Sequence, residues 1–169
     1  MVAITRRGTP CNTIGELPAV GSKAPNFRLV NENLKNWTLK NFAGKKKILY
    51  IVPSLDTPTC AKSTQIFNDR IAKVDGVVII ISADLPFAMK RFCSIEGLEN
   101  VVNLSMMRDK KFGEDYGVLL IDGPLEGITA RAVVVLDENN LVLHTELSQE
   151  IATEPDYDAC LLYTSDAAD

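Results

Sequence analysis

Apolar residues follow two rhythms along this chain. Apolar runs occur at residues 47–52 and 77–82, and interrupted ones at 101–104 and 129–136, each the length of a strand. Between the first two, the spacing changes. Cys60, Thr64, Phe67, Ile71 and Val74 recur at steps of three and four, which predicts a helix from Pro58 to about Val74 with one inward stripe. Asp75-Gly76 marks its end. Asp84 is placed to cap a second helix, with Pro86 two residues on, that carries Phe87, Met89, Phe92 and Cys93 and stops at Gly97. A short helix is expected at 110–116, a Gly/Pro loop at 118–128, and a last helix from Pro155.

The ends of the chain are richer in hairpin signals. Residues 2–5 and 11–14 flank a Gly/Pro turn and predict an N-terminal β-hairpin, while 24–30 and 37–39 predict two further short strands. The segments 129–136 and 141–147 join through Asp137-Glu138-Asn139-Asn140, a turn sequence suited to a hairpin. Strands alternating with helices in the middle and closing in a hairpin predict an α/β fold with a central mixed sheet and helices on both faces, thioredoxin-like in kind.

Composition narrows the function classes. At 169 residues, 46% hydrophobic and 24% charged, the chain suits one domain with its own core. A net charge of −4 gives no basic field to attract nucleic acid or an anionic membrane. The first ten residues lack an apolar core and no run approaches a membrane span, so the expected location is the cytoplasm. Cys11, Cys60, Cys93 and Cys160 form no C-x-x-C pair, and His144 is the single histidine, so no metal site or cofactor is expected. Redox or nucleophilic chemistry remains.

Cys60 is placed for it. Pro53 ends the apolar strand because proline cannot donate to the ladder. Thr57 then suits the N-cap and Pro58 the first helical position, which puts Cys60 at the third. There the sulfur lies among backbone N–H groups without intrahelical partners, at the positive end of the helix dipole, surroundings that favour a thiolate. Inert burial explains the same stripe. Arg131 shares a strand face with Val133 and Val135, and a guanidinium there needs an anionic partner. A carboxylate at the sheet end or a thiolate at the tip of a neighbouring helix would serve. Cys93, on a different helix, either packs beside Phe92 or condenses with an oxidised Cys60. Bridging requires Cα atoms within roughly 7 Å, so one helix end would have to unwind.

The stretch Pro53-x-x-x-Thr57-x-x-Cys60 resembles the peroxidatic signature of the peroxiredoxins. Ser82-Ala83-Asp84-Leu85-Pro86-Phe87, Arg91-Phe92-Cys93, Asp122-Gly123-Pro124-Leu125 and Ala130-Arg131-Ala132-Val133-Val134-Val135 are similar to the thiol peroxidase branch, of atypical two-cysteine type. The resemblance implies that Cys60 is the peroxidatic nucleophile and Cys93 the resolving cysteine of the same subunit. It further implies that Thr57 orients the peroxide, that Arg131 holds the thiolate and polarises the O–O bond, and that Pro53 screens the site from water. A thioredoxin fold, a homodimer, peroxide substrates and thioredoxin as reductant are implied with it.

The resemblance covers residues 1–159, read as a single thioredoxin-like domain. Residues 160–169 depart from the Ala/Leu-rich helix expected after Glu154-Pro155-Asp156-Tyr157 and read as an atypical tail of truncated or read-through sequence. Cys160 and Cys11 receive no role. Two competing functions are a redox sensor or binding module with little turnover, and a general disulfide oxidoreductase. The missing C-x-x-C counts against the latter.

Overall fold

The computed structural model describes residues 1–71, 76–96 and 101–162. Val74 and Asp75, Gly97, and the tail from 163 lie outside the described residues. Seven strands form one sheet: β3 (Leu29–Val30), β4 (Asn36–Trp37), β5 (Lys46–Ile51), β6 (Gly76–Ser82), β7 (Val101–Ser105), β8 (Ala132–Leu136) and β9 (Val142–Leu147). Their spatial order is β4-β3-β7-β6-β5-β8-β9, with β5, β6 and β7 parallel and the outer pairs antiparallel. The expected mixed sheet is therefore present.

The N-terminal hairpin pairs β1 (Ala3–Arg6) with β2 (Thr9–Asn12). Arg7 and Gly8 both take positive φ, 51° and 80°, the backbone a tight two-residue hairpin turn requires. Pairing Arg6 with Thr9 places this turn at 7–8. The hairpin docks on the far end of the chain, where Thr5 N–H donates to the Gln149 carbonyl at 2.7 Å.

Because β5 is buried on both faces, its side chains alternate between two cores. Leu49 and Ile51 pack with Phe27, Phe42, Phe112 and Tyr116 on one side, where α3 (Lys111–Asp115) and a 3₁₀ turn (Leu39–Phe42) lie. Ile48, Tyr50 and Val52 pack with Cys60, Phe67, Ile71 and Met89 on the other. That second face is covered by α1 (Pro58–Ile71), α2 (Pro86–Glu96) and α4 (Tyr157–Leu162).

Several sequence expectations differ from the structure. The strand expected at 24–30 is reduced to Leu29–Val30, and Leu39 enters the 3₁₀ turn because Thr38 and Asn41 form a reciprocal capping box there. Asp84 does not act as a helix cap; its carboxylate accepts instead from Ser54 Oγ, Leu55 N–H and Ser82 Oγ, all at 2.7–2.8 Å. Phe87 is 67% exposed, so the inward side of α2 rests on Met89 and half-buried Phe92. Cys160 and Leu161, at the start of the segment read as an atypical tail, are buried in α4.

Candidate active site

The loop from Pro53 to Thr57 and the first turn of α1 build the site. Pro53 is buried directly after β5. Thr57 is the N-cap: its Oγ1 accepts from Cys60 N–H at 3.3 Å and donates to the Ser54 carbonyl at 3.2 Å. The capping bond reaches the third helical residue, as the sequence implied. One of the four orphan N–H groups of α1 is thereby satisfied by the side chain that sits nearest the sulfur's own backbone.

Arg131 reaches Cys60 from the sheet. It immediately precedes β8, is 2% exposed, and directs Nη1 to Cys60 Sγ at 2.9 Å. Two further acceptors fix the guanidinium: Nη1 also donates to Tyr50 Oη at 3.0 Å, and Nε donates to the Ile151 carbonyl at 2.7 Å. Burial alone would lower the guanidinium's pKa. Tyr50 and Cys60 more than offset that and raise it, so the side chain stays cationic. Burial in turn pushes the Tyr50 phenol up despite the adjacent Arg131, so Tyr50 remains a neutral hydroxyl.

Sequence reasoning did not single out Tyr50 or the 148–153 segment, and it gave Asp84 the role of a helix cap. Tyr50 is the one residue with a polar tip in the run from Ile48 to Val52, and a buried tyrosine hydroxyl needs a partner. That was a readable signal. Asp84 ties the Ser54–Leu55 loop to the segment that leads into α2, while Thr59 Oγ1 donates to the Ala152 carbonyl at 3.0 Å on the opposite flank. Neither contact between distant segments leaves a local signature.

A groove opens beside the loop, between the start of α1 and α2, lined by Ser54, Thr57, Pro58, Phe87, Arg91 and Phe92. Cys60 itself is fully buried beneath the loop. Cys93 lies apart from it on α2, half-buried, with its sulfur accepting from Asn103 Nδ2. Burial and the Glu32 carboxylate push the Cys93 thiol up to about 12. Both cysteines are free thiols. The partners of the two sulfurs, Arg131 before β8 and Asn103 on β7, are three strand positions apart in the sheet, roughly 14 Å at the usual strand spacing. The structure thus brings Cys60, Thr57 and Arg131 together, with Pro53 buried in the loop that leads to them, and leaves Cys93 outside that group.

No metal site is expected from the residue spacing, yet His144, Glu146 and Cys160 place potential ligand atoms within 4.8 Å of one another. His144 Nε2 lies 2.9 Å from Glu146 Oε1, and burial raises the Cys160 thiol pKa. The sulfur of this group lies in α4.

The Redoxin family pattern matches residues 19–161. The chain is 52% identical to the thiol peroxidase of Mycobacterium tuberculosis over 161 residues, 95% of this chain and 97% of that one. Among solved structures, a peroxiredoxin-like protein from Aquifex aeolicus superposes with a TM-score of 0.89 at 36% identity, covering 96% of this chain and 95% of the other. A thiol peroxidase from Chromobacterium violaceum gives 0.86 at 27% identity, covering 93% and 91%.

Proposed function

The chain belongs to the Redoxin family as a peroxide-reducing thiol peroxidase homologue, and from that premise we propose that Cys60 is its peroxidatic nucleophile and Cys93 its resolving cysteine. The observation that carries the assignment is the 2.9 Å hydrogen bond from buried Arg131 to the Cys60 sulfur at the first turn of α1. A cationic donor stands where an attacking thiolate is negative, and a capped helix start supplies fixed dipoles of the same sign.

In this reading the Cys60 thiolate attacks one peroxide oxygen in line with the O–O bond. The S–O bond forms, the O–O bond breaks, and the other oxygen leaves as water or an alcohol after taking a proton, with Cys60 as sulfenic acid. Arg131 and the Thr57 hydroxyl stabilise the charge that builds on the leaving oxygen. In the resting structure the Thr57 hydroxyl donates to the Ser54 carbonyl, so it turns toward substrate on binding. Pro53, buried at the base of the loop, limits water access.

Resolution follows by attack of Cys93 on the sulfenic sulfur. The S–S bond forms, the S–O bond breaks, and water leaves with the Cys93 proton. The separation of the two sulfurs' anchoring strands supports a step in which α2 partly unwinds. A dithiol reductant of thioredoxin type then returns both cysteines to thiols. Exposed Leu85 and Phe87 beside the groove offer apolar surface for the homodimer that belongs to the same reading. No helix among the described residues is long and apolar enough to cross a membrane, and a cytoplasmic location is part of the proposal.

The test is step-resolved. Cys60→Ser should abolish peroxide consumption. Cys93→Ser should consume about one peroxide per subunit and stall at sulfenic acid. Peptide mass spectrometry after one equivalent of peroxide should recover a Cys60–Cys93 disulfide in the unsubstituted protein; sustained thioredoxin-driven turnover by Cys93→Ser would refute the resolving role. Slow, substoichiometric oxidation of the unsubstituted protein would favour a sensor instead.

A further inference from the structure

Cys93 sits in a polar cluster that the geometry around Cys60 does not use. Asn103 on β7 is 1% exposed, and its Nδ2 forks between the Cys93 sulfur and Glu32 Oε1, the latter at 3.3 Å. This shared amide donor places the Glu32 carboxylate beside the Cys93 sulfur, where its negative charge adds to burial in pushing the thiol up. Glu32 lies in the β3–β4 turn, which is fixed by Asn31 Oδ1 accepting from the N–H groups of Asn33 and Lys35 at 3.0 and 2.9 Å. Three separate segments thus converge on one sulfur: the β3–β4 turn, β7 and α2.

Chemistry gives this arrangement a direction. A negative carboxylate beside the sulfur disfavours a second negative charge there, so Cys93 holds its proton while Glu32 stays close. Nucleophilic attack on a sulfenic acid needs the thiolate. The contact therefore opposes the attacking form and, by pinning α2 to the sheet, opposes the unwinding that attack requires. Asn103 Oδ1 is already buried without a partner, and departure of Cys93 strips a contact from its Nδ2 as well. Leaving is made costly on both counts.

We propose that Glu32, with Asn103, is a latch that holds Cys93 in folded α2 as a capped thiol and sets the rate at which it is delivered to oxidised Cys60. Glu32 is thus a positioning residue for the second step. The inference rests on the resolving role proposed for Cys93. The step it governs is Cys60–SOH + Cys93–SH → Cys60–S–S–Cys93 + H₂O. A slower step leaves the sulfenic acid exposed for longer to a second peroxide and conversion to sulfinic acid.

The experiment compares full-length Glu32→Gln and Glu32→Asp with the unsubstituted protein. Each is reduced, mixed with one equivalent of hydrogen peroxide, quenched at intervals with an alkylating agent, and analysed by peptide mass spectrometry. In Glu32→Gln the disulfide-forming phase should accelerate on the order of tenfold relative to sulfenic acid formation, the effect of removing one negative charge beside the sulfur. Its pH midpoint should move down, because among the described residues Glu32 is the titratable group that acts on Cys93. Glu32→Asp, which keeps the charge, should retain the slow phase. A disulfide phase in Glu32→Gln that is unchanged or slower, with an unmoved pH profile, overturns the latch while leaving the resolving role intact. Absence of any Cys60–Cys93 disulfide in the unsubstituted protein overturns the resolving role, and the latch with it.

Discussion

Replacing Arg131 with glutamine removes the cation from the Cys60 sulfur while keeping a planar donor of reduced reach. Three bonds are at stake: 2.9 Å to Cys60 Sγ, 3.0 Å to Tyr50 Oη and 2.7 Å to the Ile151 carbonyl. The first bears on rate. A hydrogen bond from a charged donor contributes about 1.5–3 kcal/mol, and at about 1.4 kcal/mol per decade its loss in the transition state slows peroxide attack roughly 10- to 150-fold. The other two bear on stability. Leaving one or both acceptors buried and unpaired costs about 2–4 kcal/mol, visible as a lower urea midpoint with an unchanged m-value. The assay is quenched-flow oxidation of the Cys60 peptide under excess peroxide, at a temperature where near-ultraviolet dichroism shows the variant folded. Arg131→Lys should fall between the two, since it keeps a charge without the fork. Should folded Arg131→Gln oxidise within about threefold of the unsubstituted rate, far below the worked interval, Arg131 would be a structural ion only.

Thr57→Val removes the N-cap bond to Cys60 N–H and should cost about 1 kcal/mol in unfolding free energy. It should also slow the first oxidation step, whereas Thr57→Ser should restore both; a slow step that persists in Thr57→Ser would argue against the hydroxyl. Cys93 links stability to pH. Its thiol is raised in the fold from 9.0 to about 12, so the folded chain holds a proton that the unfolded chain releases. The stabilisation is full below pH 9 and is lost as pH climbs toward 12. Denaturant titrations across that window should show a steeper decline for the unsubstituted protein than for Cys93→Ser, and matching slopes would refute the coupling.

Local sequence carried much of the active site. Thr57-Pro58 specifies a helix start, Pro53 ends the strand before it, and the spacing to Cys60 sets which backbone N–H the threonine meets. All three are nearest-neighbour effects of backbone geometry. Arg131 was legible as a buried cation in need of a partner, but whether a carboxylate or a sulfur met it could not be read from the strand. Asp84 was misread for the same reason. Its position before Pro86 fits a cap, yet Ser54 and Leu55, thirty and twenty-nine residues earlier, take the carboxylate instead. A cap and a long-range acceptor look alike until the partner is placed.

The chain by itself determined the strand and helix order, the mixed sheet that alternation demands, and the place of Cys60 in the first turn of a helix, because each depends on periodicity or on residues within a turn of one another. Tertiary structure decided what surrounds the two sulfurs. Parallel pairing of β5, β6 and β7 with β8 antiparallel beside β5 sets Arg131 and Tyr50 against Cys60 and moves Cys93 across the sheet to Asn103 and Glu32. Those neighbours are separated by ten or more residues along the chain, and only burial against a common sheet gives them a shared distance and a shared electrostatic field.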